Sequence, residues 1–323
     1  MNNRHANNNP LVSCVMIFLN PDKDFFVEAI ESVLSQTHKN LELILCNDGS
    51  NDECTEIAIG YAQKYKGHVV YVEHENRCNL GKSAARNLGV KHASGKYICF
   101  LDSDDAYFAT QVEQQVEILE FNTSAAMVWG KTQVWFSWSG KSEDSQRDAY
   151  SQFGTKSNQL IHSPALLTNL LDPYERATPC TCSVLVRHEV FEELGGFEDE
   201  FKDKYEDTIF WVKVFANRHI FVADNCWGKY RQHATNSCVI AVKTGEWIPG
   251  DLSPAHYKYL IWIENYLRGQ RFSHSSITKV LQGELWKYRN RRLFYLKKTT
   301  RRISSKLKNV VKDGLIKILP RVN

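Results

Sequence analysis

The 323-residue chain has no run approaching the roughly 20 uncharged apolar residues that a membrane-spanning helix requires. Its opening, MNNRHANNNP, lacks the apolar core of a secretory leader. Together these absences point to the cytoplasm. There is no G-x-G-x-x-G fingerprint and no G-x-x-x-x-G-K-[ST] loop, which argues against dinucleotide oxidoreductases and phosphate-loop hydrolases. No internal repeat occurs. Nor is there a disulfide framework: nine cysteines, an odd number, scatter through apparent strands and helices, as expected of reduced thiols. Cys180 and Cys182 form a C-x-C without a second Cys or His pair at ligand spacing, so they read as two residues of a strand.

Charge of one sign is scarce in one place only. From Lys287 onward the chain carries 13 of its 40 basic residues and one of its 37 acidic residues, Asp313. The rest is therefore acidic, and the small net charge of +3 hides a strongly basic tail. Residues 287–321 mix Leu, Phe, Tyr, Ile and Val with Lys and Arg, a composition suited to amphipathic helices on an anionic membrane surface. A solvated or oligomerising helix has the same composition, and no nucleic-acid partner is expected.

What is present is alternation. After residues 1–10, which read as disordered, LVSCVMIFL is a short apolar run rich in β-branched residues, the signature of a buried strand. Phe26, Ala29, Ile30, Val33 and Leu34 then recur at helical spacing. LELILC, VVYVE and YICFL continue the strands, with helices expected over about 52–65 and 81–92. Strict alternation predicts an α/β fold, a mostly parallel sheet with helices on both faces. In such sheets ligands bind beyond the carboxyl ends of the strands. A further helix is expected over 109–121, a half-exposed strand around Val134, Phe136 and Trp138, a mobile loop over 139–159, and helices beyond 254. The division is then a domain over 11–250 and a helical extension over 251–323 with the basic tail.

Polar clusters sit at the strand ends. In YICFLDSDDAYF a buried run ends in Asp102, Asp104 and Asp105. Carboxylates two residues apart on an extended chain face the same way about 7 Å apart, a span that one divalent cation and its ligand can bridge. Mg2+ or Mn2+ would relieve their repulsion, since hard cations take oxygen ligands and keep positions open for phosphate. One of the three, Asp105 foremost, can instead cap a helix. NDGSND after the second strand is good turn chemistry, with Asp52 a candidate helix cap, and Asp48 could accept from a nucleobase or ribose. Glu206 and Asp207 open a helix, where they either complement its dipole or supply a general base. His233, in YRQHATNS, is either structural or a ligand near metal or phosphate.

In order and spacing, VSCVMIFLN, LELILCNDGSND, NLGKSAARNLGVKHASGKYICFLDSDD, LVRHEVFEELGGF, YEDTIFWVKV and YRQHATNSC resemble family 2 glycosyltransferases of the GT-A fold. The resemblance covers about residues 11–238. It implies an inverting enzyme that moves a sugar from a nucleotide donor, a UDP-sugar foremost, to a glycan or lipid-linked acceptor, with Mn2+ or Mg2+ as cofactor. Polysaccharide or envelope glycan assembly at the inner membrane face would follow. It assigns Asn20, Asp48, Arg86 and Asp102 to the donor nucleotide, Asp102, Asp104, Asp105 and His233 to the metal, Asp207 to the catalytic base and Glu206 to its support. IFLN departs from the family's usual first loop, which puts the local loop shape in question. A nucleotidyltransferase that makes sugar nucleotides, or a silent nucleotide- or glycan-binding protein, are the alternatives; the former would need a Gly- and Arg-rich loop where NPDKDFF stands.

Overall fold

The computed structural model describes residues 9–171, 178–245, 251–272 and 274–300. Most of the expected disordered start, and residues 301–323 of the basic tail, lie outside them. The chain divides into two compact units, Met1–Trp247 and Ile248–Asn323.

The first unit begins with β1 (Val12–Phe18), whose seven residues are all buried because both of its faces are covered. In α1 (Lys23–Leu34), Phe26, Ala29, Ile30 and Val33 form the buried face, and the Asp22 side chain caps the N-terminus by accepting from the N–H groups of Asp24 and Phe25. β2 (Leu41–Asn47) leads through the NDGSND turn into α2 (Asp52–Lys64), which is capped by Asn51 rather than Asp52. β3 (Val69–Glu73), α3 (Lys82–His92), β4 (Tyr97–Asp102), β5 (Ala106–Tyr107), α4 (Gln111–Phe121) and β6 (Ala125–Trp135) follow. Next come α5 (Ser142–Ser145), β7 (Ala149–Tyr150), β8 (Gln159–Ile161), α6 (Ala165–Leu171), β9 (Val184–Arg187), α7 (Glu189–Leu194), α8 (Glu206–Asn217), β10 (His219–Arg231) and α9 (Ser237–Lys243).

The ten strands among the described residues join one sheet, in the order β3-β2-β1-β4-β9-β6-β10-β5, with β7 on β6 and β8 on β10. β1 pairs in parallel with β2 and β4, β2 with β3, and β6 with β10. β9 runs against both β4 and β6, so β6 and β10 point the same way as β4. The carboxyl ends of β1, β2, β4, β6 and β10 therefore open on one edge, where Asn20, Asp48, Asp102, Asp104 and His233 follow them. Fully buried Trp129, Trp211 and Trp227 lie among the largest core side chains, and large apolar side chains contribute about 1.5–3 kcal/mol each when buried.

Two local expectations differ, and one strand goes unread. Residues 139–159 are not a featureless loop: the Asp148 carboxylate accepts from the backbone N–H groups of Phe136 and Ser137, the Ser137 hydroxyl and the Gln133 amide, at 2.6–3.0 Å, and folds the segment back onto β6. β10 is a 13-residue strand that alternation alone does not reveal, because register shifts near Val222, Cys226 and Gly228 break its period. Cys182 lies in a 3-10 turn, Thr181–Ser183, with Cys180 just before it, instead of in a strand.

The second unit contains α10 (Pro254–Gly269) and α11 (Ser275–Arg289), followed by helical residues 291–300. Tyr259, Leu260 and Ile263 of α10 and Ile277, Leu281 and Leu285 of α11 are buried. Pro at the first helical position and the Ser253 cap fix the start of α10. No helix among the described residues is long and apolar enough to cross a membrane.

Candidate functional site

The site forms where strand ends meet helix N-termini. After β2 the chain turns at Gly49, whose φ of +88° and close approach to the backbone of Asn79 suit a residue without Cβ. The turn buries Asp48, whose carboxylate accepts from the N–H groups of Leu80 and Gly81 at 2.9–3.2 Å. Burial raises the Asp48 pKa above the usual carboxylate range, while those two N–H groups oppose the shift. Asn20, exposed and at φ 46°, ties the β1 end to this turn through its N–H to the Ser50 hydroxyl and its side-chain oxygen to the Asn51 N–H.

Gly81 caps α3 at φ +96°, where a Cβ would meet Lys202 at 2.8 Å. From α3, Arg86 reaches across the floor of the crevice. It is 1% exposed and donates to Asp102 at 2.9 Å and to Glu206 at 3.3 Å. One buried guanidinium thus holds the β4 end and the α8 N-terminus together. Burial pushes the Asp102 pKa up, but the charges of Arg86 and Lys82 outweigh it and leave the group below its ordinary value.

Beyond Asp102 the carboxylates diverge. Asp104 faces the crevice, its Oδ2 3.0 Å from His233 Nε2. His233 is in turn fixed by Thr235 at Nδ1, 2.8 Å, and by its own N–H to Asn236. An imidazole nitrogen and a carboxylate oxygen this close offer a donor pair that a divalent cation such as Mn2+ could take up. Asp105 turns inward instead: it is 1% exposed and accepts the Arg231 N–H at 2.9 Å. Burial, then the charge of Asp104, raise its pKa well above the ordinary value.

At the start of α8, Tyr205 holds φ 62°, a conformation uncommon outside glycine, and so turns the chain into the crevice. Glu206 is committed to Arg86. Asp207 is partly buried and accepts from the backbone N–H and hydroxyl of Thr208. Burial and the charge of Glu206 lift its pKa to about 6 against the opposing pull of Arg86. A carboxylate poised near neutrality in a cleft suits proton abstraction.

Two cations escaped the reading of the sequence. Lys82 extends to the Ser237 hydroxyl at 3.3 Å, and although burial opposes its charge, Asp102, Glu206 and Asp104 raise its pKa overall. Its signal was a lysine in the first turn of a helix, where the dipole disfavours positive charge. Arg231, 1% exposed, lies 4.3 Å from the ring centres of both Phe25 and Trp135 and donates to the Asp104 carbonyl and to Glu28. It joins the aspartate turn to the segment that carries His233, and only the fold reveals that role.

The profile of Glycosyl transferase family 2 matches residues 13–195. An uncharacterized glycosyltransferase of Rickettsia prowazekii is 30% identical over 230 residues, 71% of this chain and 66% of the relative. The UDP-Glc:alpha-D-GlcNAc-diphosphoundecaprenol beta-1,3-glucosyltransferase of Escherichia coli is 39% identical over 110 residues, 34% of this chain and 41% of the relative. The chain thus spans less than two thirds of either relative. Among solved structures, S. aureus TarS 1-349 with UDP-GlcNAc superposes at TM-score 0.63 and 17% identity over 86% of this chain and 72% of that one. A mannosyltransferase of Pyrobaculum calidifontis with GDP-Man and Mn2+ does so at 0.54 and 14% identity over 86% and 69%. These likenesses establish an α/β GT-A fold.

Proposed function

Because this chain belongs to glycosyl transferase family 2, we propose that it transfers a sugar from a nucleoside diphosphate donor to an acceptor hydroxyl with inversion at the anomeric carbon. The observation that carries this reading is the convergence of two separate devices on one crevice: the cation-ready pair Asp104 and His233, and the near-neutral base Asp207. Asp48 and Asn20 would take the nucleoside, and Asp102 would serve both ribose and metal. Asp104, His233 and Asp102 would hold a divalent cation, which when bound neutralises charge on the departing diphosphate. Asp105 is buried and accepts the Arg231 N–H, so we assign it no part in holding the donor's cation.

Asp207 removes the acceptor proton as that oxygen forms its bond to the anomeric carbon and the bond to the diphosphate oxygen breaks. A single displacement without a protein nucleophile inverts the centre. Arg86 holds the Asp102 pKa down and anchors the Glu206 carboxylate, which fixes Asp207 relative to the donor. Lys82 adds positive charge beside the diphosphate position. Calorimetric titration of a panel of UDP-, GDP- and dTDP-sugars, with and without Mn2+, tests the reading. One donor, a UDP-sugar on this reading, should bind only with the cation; if no donor binds, or if binding ignores the cation, the proposal fails.

The acceptor reading is a glycan or lipid-linked hydroxyl at the inner face of the membrane, in surface polysaccharide or envelope glycan assembly. The name of the Escherichia coli relative, which includes a diphosphoundecaprenol, supports it, as does the basic composition from Lys287 onward. Full-length protein should then co-sediment with phosphatidylglycerol vesicles and not with phosphatidylcholine vesicles, and added salt should release it. Equal binding to both vesicles, or to neither, would remove the anionic surface from the proposal.

A further inference from the structure

Behind the donor crevice lies a second group of potential ligands that the reaction does not use. We propose that Cys180, Cys182 and Asp105 form a separate site for a thiophilic divalent cation of the Zn2+, Fe2+ or Co2+ class. The ligand atoms of these three residues all lie within 4.8 Å of one another, and the two sulfurs are 3.2 Å apart. An extended C-x-C would hold its side chains about 7 Å apart. It is the 3-10 turn, Thr181–Ser183, that closes the pair. Tetrahedral zinc with Zn–S bonds of about 2.3 Å needs sulfurs roughly 3.8 Å apart, so the pair opens by about half an ångström on loading.

Asp105 is suited to be the third ligand. The Arg231 N–H holds its Oδ1 at 2.9 Å, which orients the carboxylate and leaves Oδ2 for a cation. It makes no ion pair with a described residue, and a bound cation would give this buried carboxyl a positive partner. Cys182 and Asp105 are almost fully buried, whereas Cys180 is only partly so. The metal therefore enters past Cys180, and water fills the fourth position. Two thiolates select against Mg2+ and Mn2+, which separates this site chemically from Asp104 and His233. As the metal–sulfur bonds form, both thiols release their protons to solvent, so affinity rises with pH. The bound ion would pin the turn after β4 to the turn before β9.

The test uses the full-length reduced protein and Co2+ alone, followed by absorption. One equivalent of Co2+ should produce a thiolate-to-cobalt charge-transfer band, which one equivalent of Zn2+ removes and excess Mn2+ does not. Cys180→Ser, a change at a partly exposed position, should abolish the band without altering the circular dichroism spectrum. His233→Ala, on the other side of Asp104, should retain it. Absence of the band in the wild type overturns the site. So does an undiminished band in Cys180→Ser, which would assign the signal to exposed Cys78 or Cys238. If Cys182→Ala folds, it must lose the band as well, and its retention counts against the proposal equally.

Discussion

Asp207→Asn is expected to leave a folded protein that binds its donor with cation-dependent affinity and turns it over about 10²- to 10⁴-fold more slowly. The amide keeps the size of the side chain and can still accept from Thr208, but it cannot take a proton. The wild-type pH profile carries the same information. Burial and the neighbouring Glu206 charge place the Asp207 pKa at about 6, and the base must be ionised to act. kcat/KM should therefore rise with pH through about 6 and level off above it. In the variant that limb should vanish. The stability effect has the opposite sign: an acid whose folded pKa is raised weighs against the fold once pH exceeds its unfolded value, about 3.9. At pH 7 Asp207→Asn should unfold at a higher temperature than wild type. Unchanged turnover in the variant would remove Asp207 from the chemistry, whatever its stability.

The opposed effects on rate and stability fit the way the site is built. Arg86 is buried between Asp102 and Glu206, and Asp207 lies one residue further along with no cation of its own among the described residues. The fold satisfies the neighbouring carboxylates and leaves one under-compensated at the opening.

How much of this was legible in the sequence depended on the range of the forces involved. β1, β2 and β4 declare themselves because burial on both faces demands unbroken apolar runs. Residues following those strands had to meet at one sheet edge, so the neighbourhood of Asp48, Asp102 and Asp104 followed from topology alone. Side-chain direction did not. Asp104 and Asp105 are adjacent carboxylates, yet one faces His233 and the other the Arg231 N–H, a division decided by β10, whose bulges hide its period. The family resemblance implies a nucleotide contact for Arg86 in NLGKSAARNLG. In the structure it is a buried counter-ion, which depends on a glutamate 120 residues away. The 3-10 turn that brings Cys180 to Cys182 likewise hides in the sequence, because it runs directly into the β-branched residues of β9 and reads as the start of that strand.

Asp104→Ala is expected to reduce donor affinity in Mn2+ to the value measured without it and to lower turnover by at least about 10³-fold. The main chain should not suffer, because Arg231 donates to the carbonyl of Asp104 and not to its carboxylate, so the turn keeps its anchor when the side chain is removed. Only His233 and Asp102, the latter already paired with Arg86, would then remain for the cation. A hard divalent ion gains little from one imidazole nitrogen and a carboxylate whose charge a guanidinium already offsets. His233→Ala removes the neutral member and keeps the charged one, so its loss of cation affinity should be the smaller of the two. The order of the effects separates ligation from general acidity of the crevice: if diffuse negative charge alone attracted the ion, His233→Ala would leave affinity unchanged, and Asp104→Ala would cost no more than the loss of any one of the several carboxylates nearby. Calorimetry of Mn2+ with the donor present, run on both variants and on Asp102→Asn, distinguishes the two cases. Retained cation dependence in Asp104→Ala would place the metal elsewhere and overturn the assignment of Asp104 and His233 as its ligands.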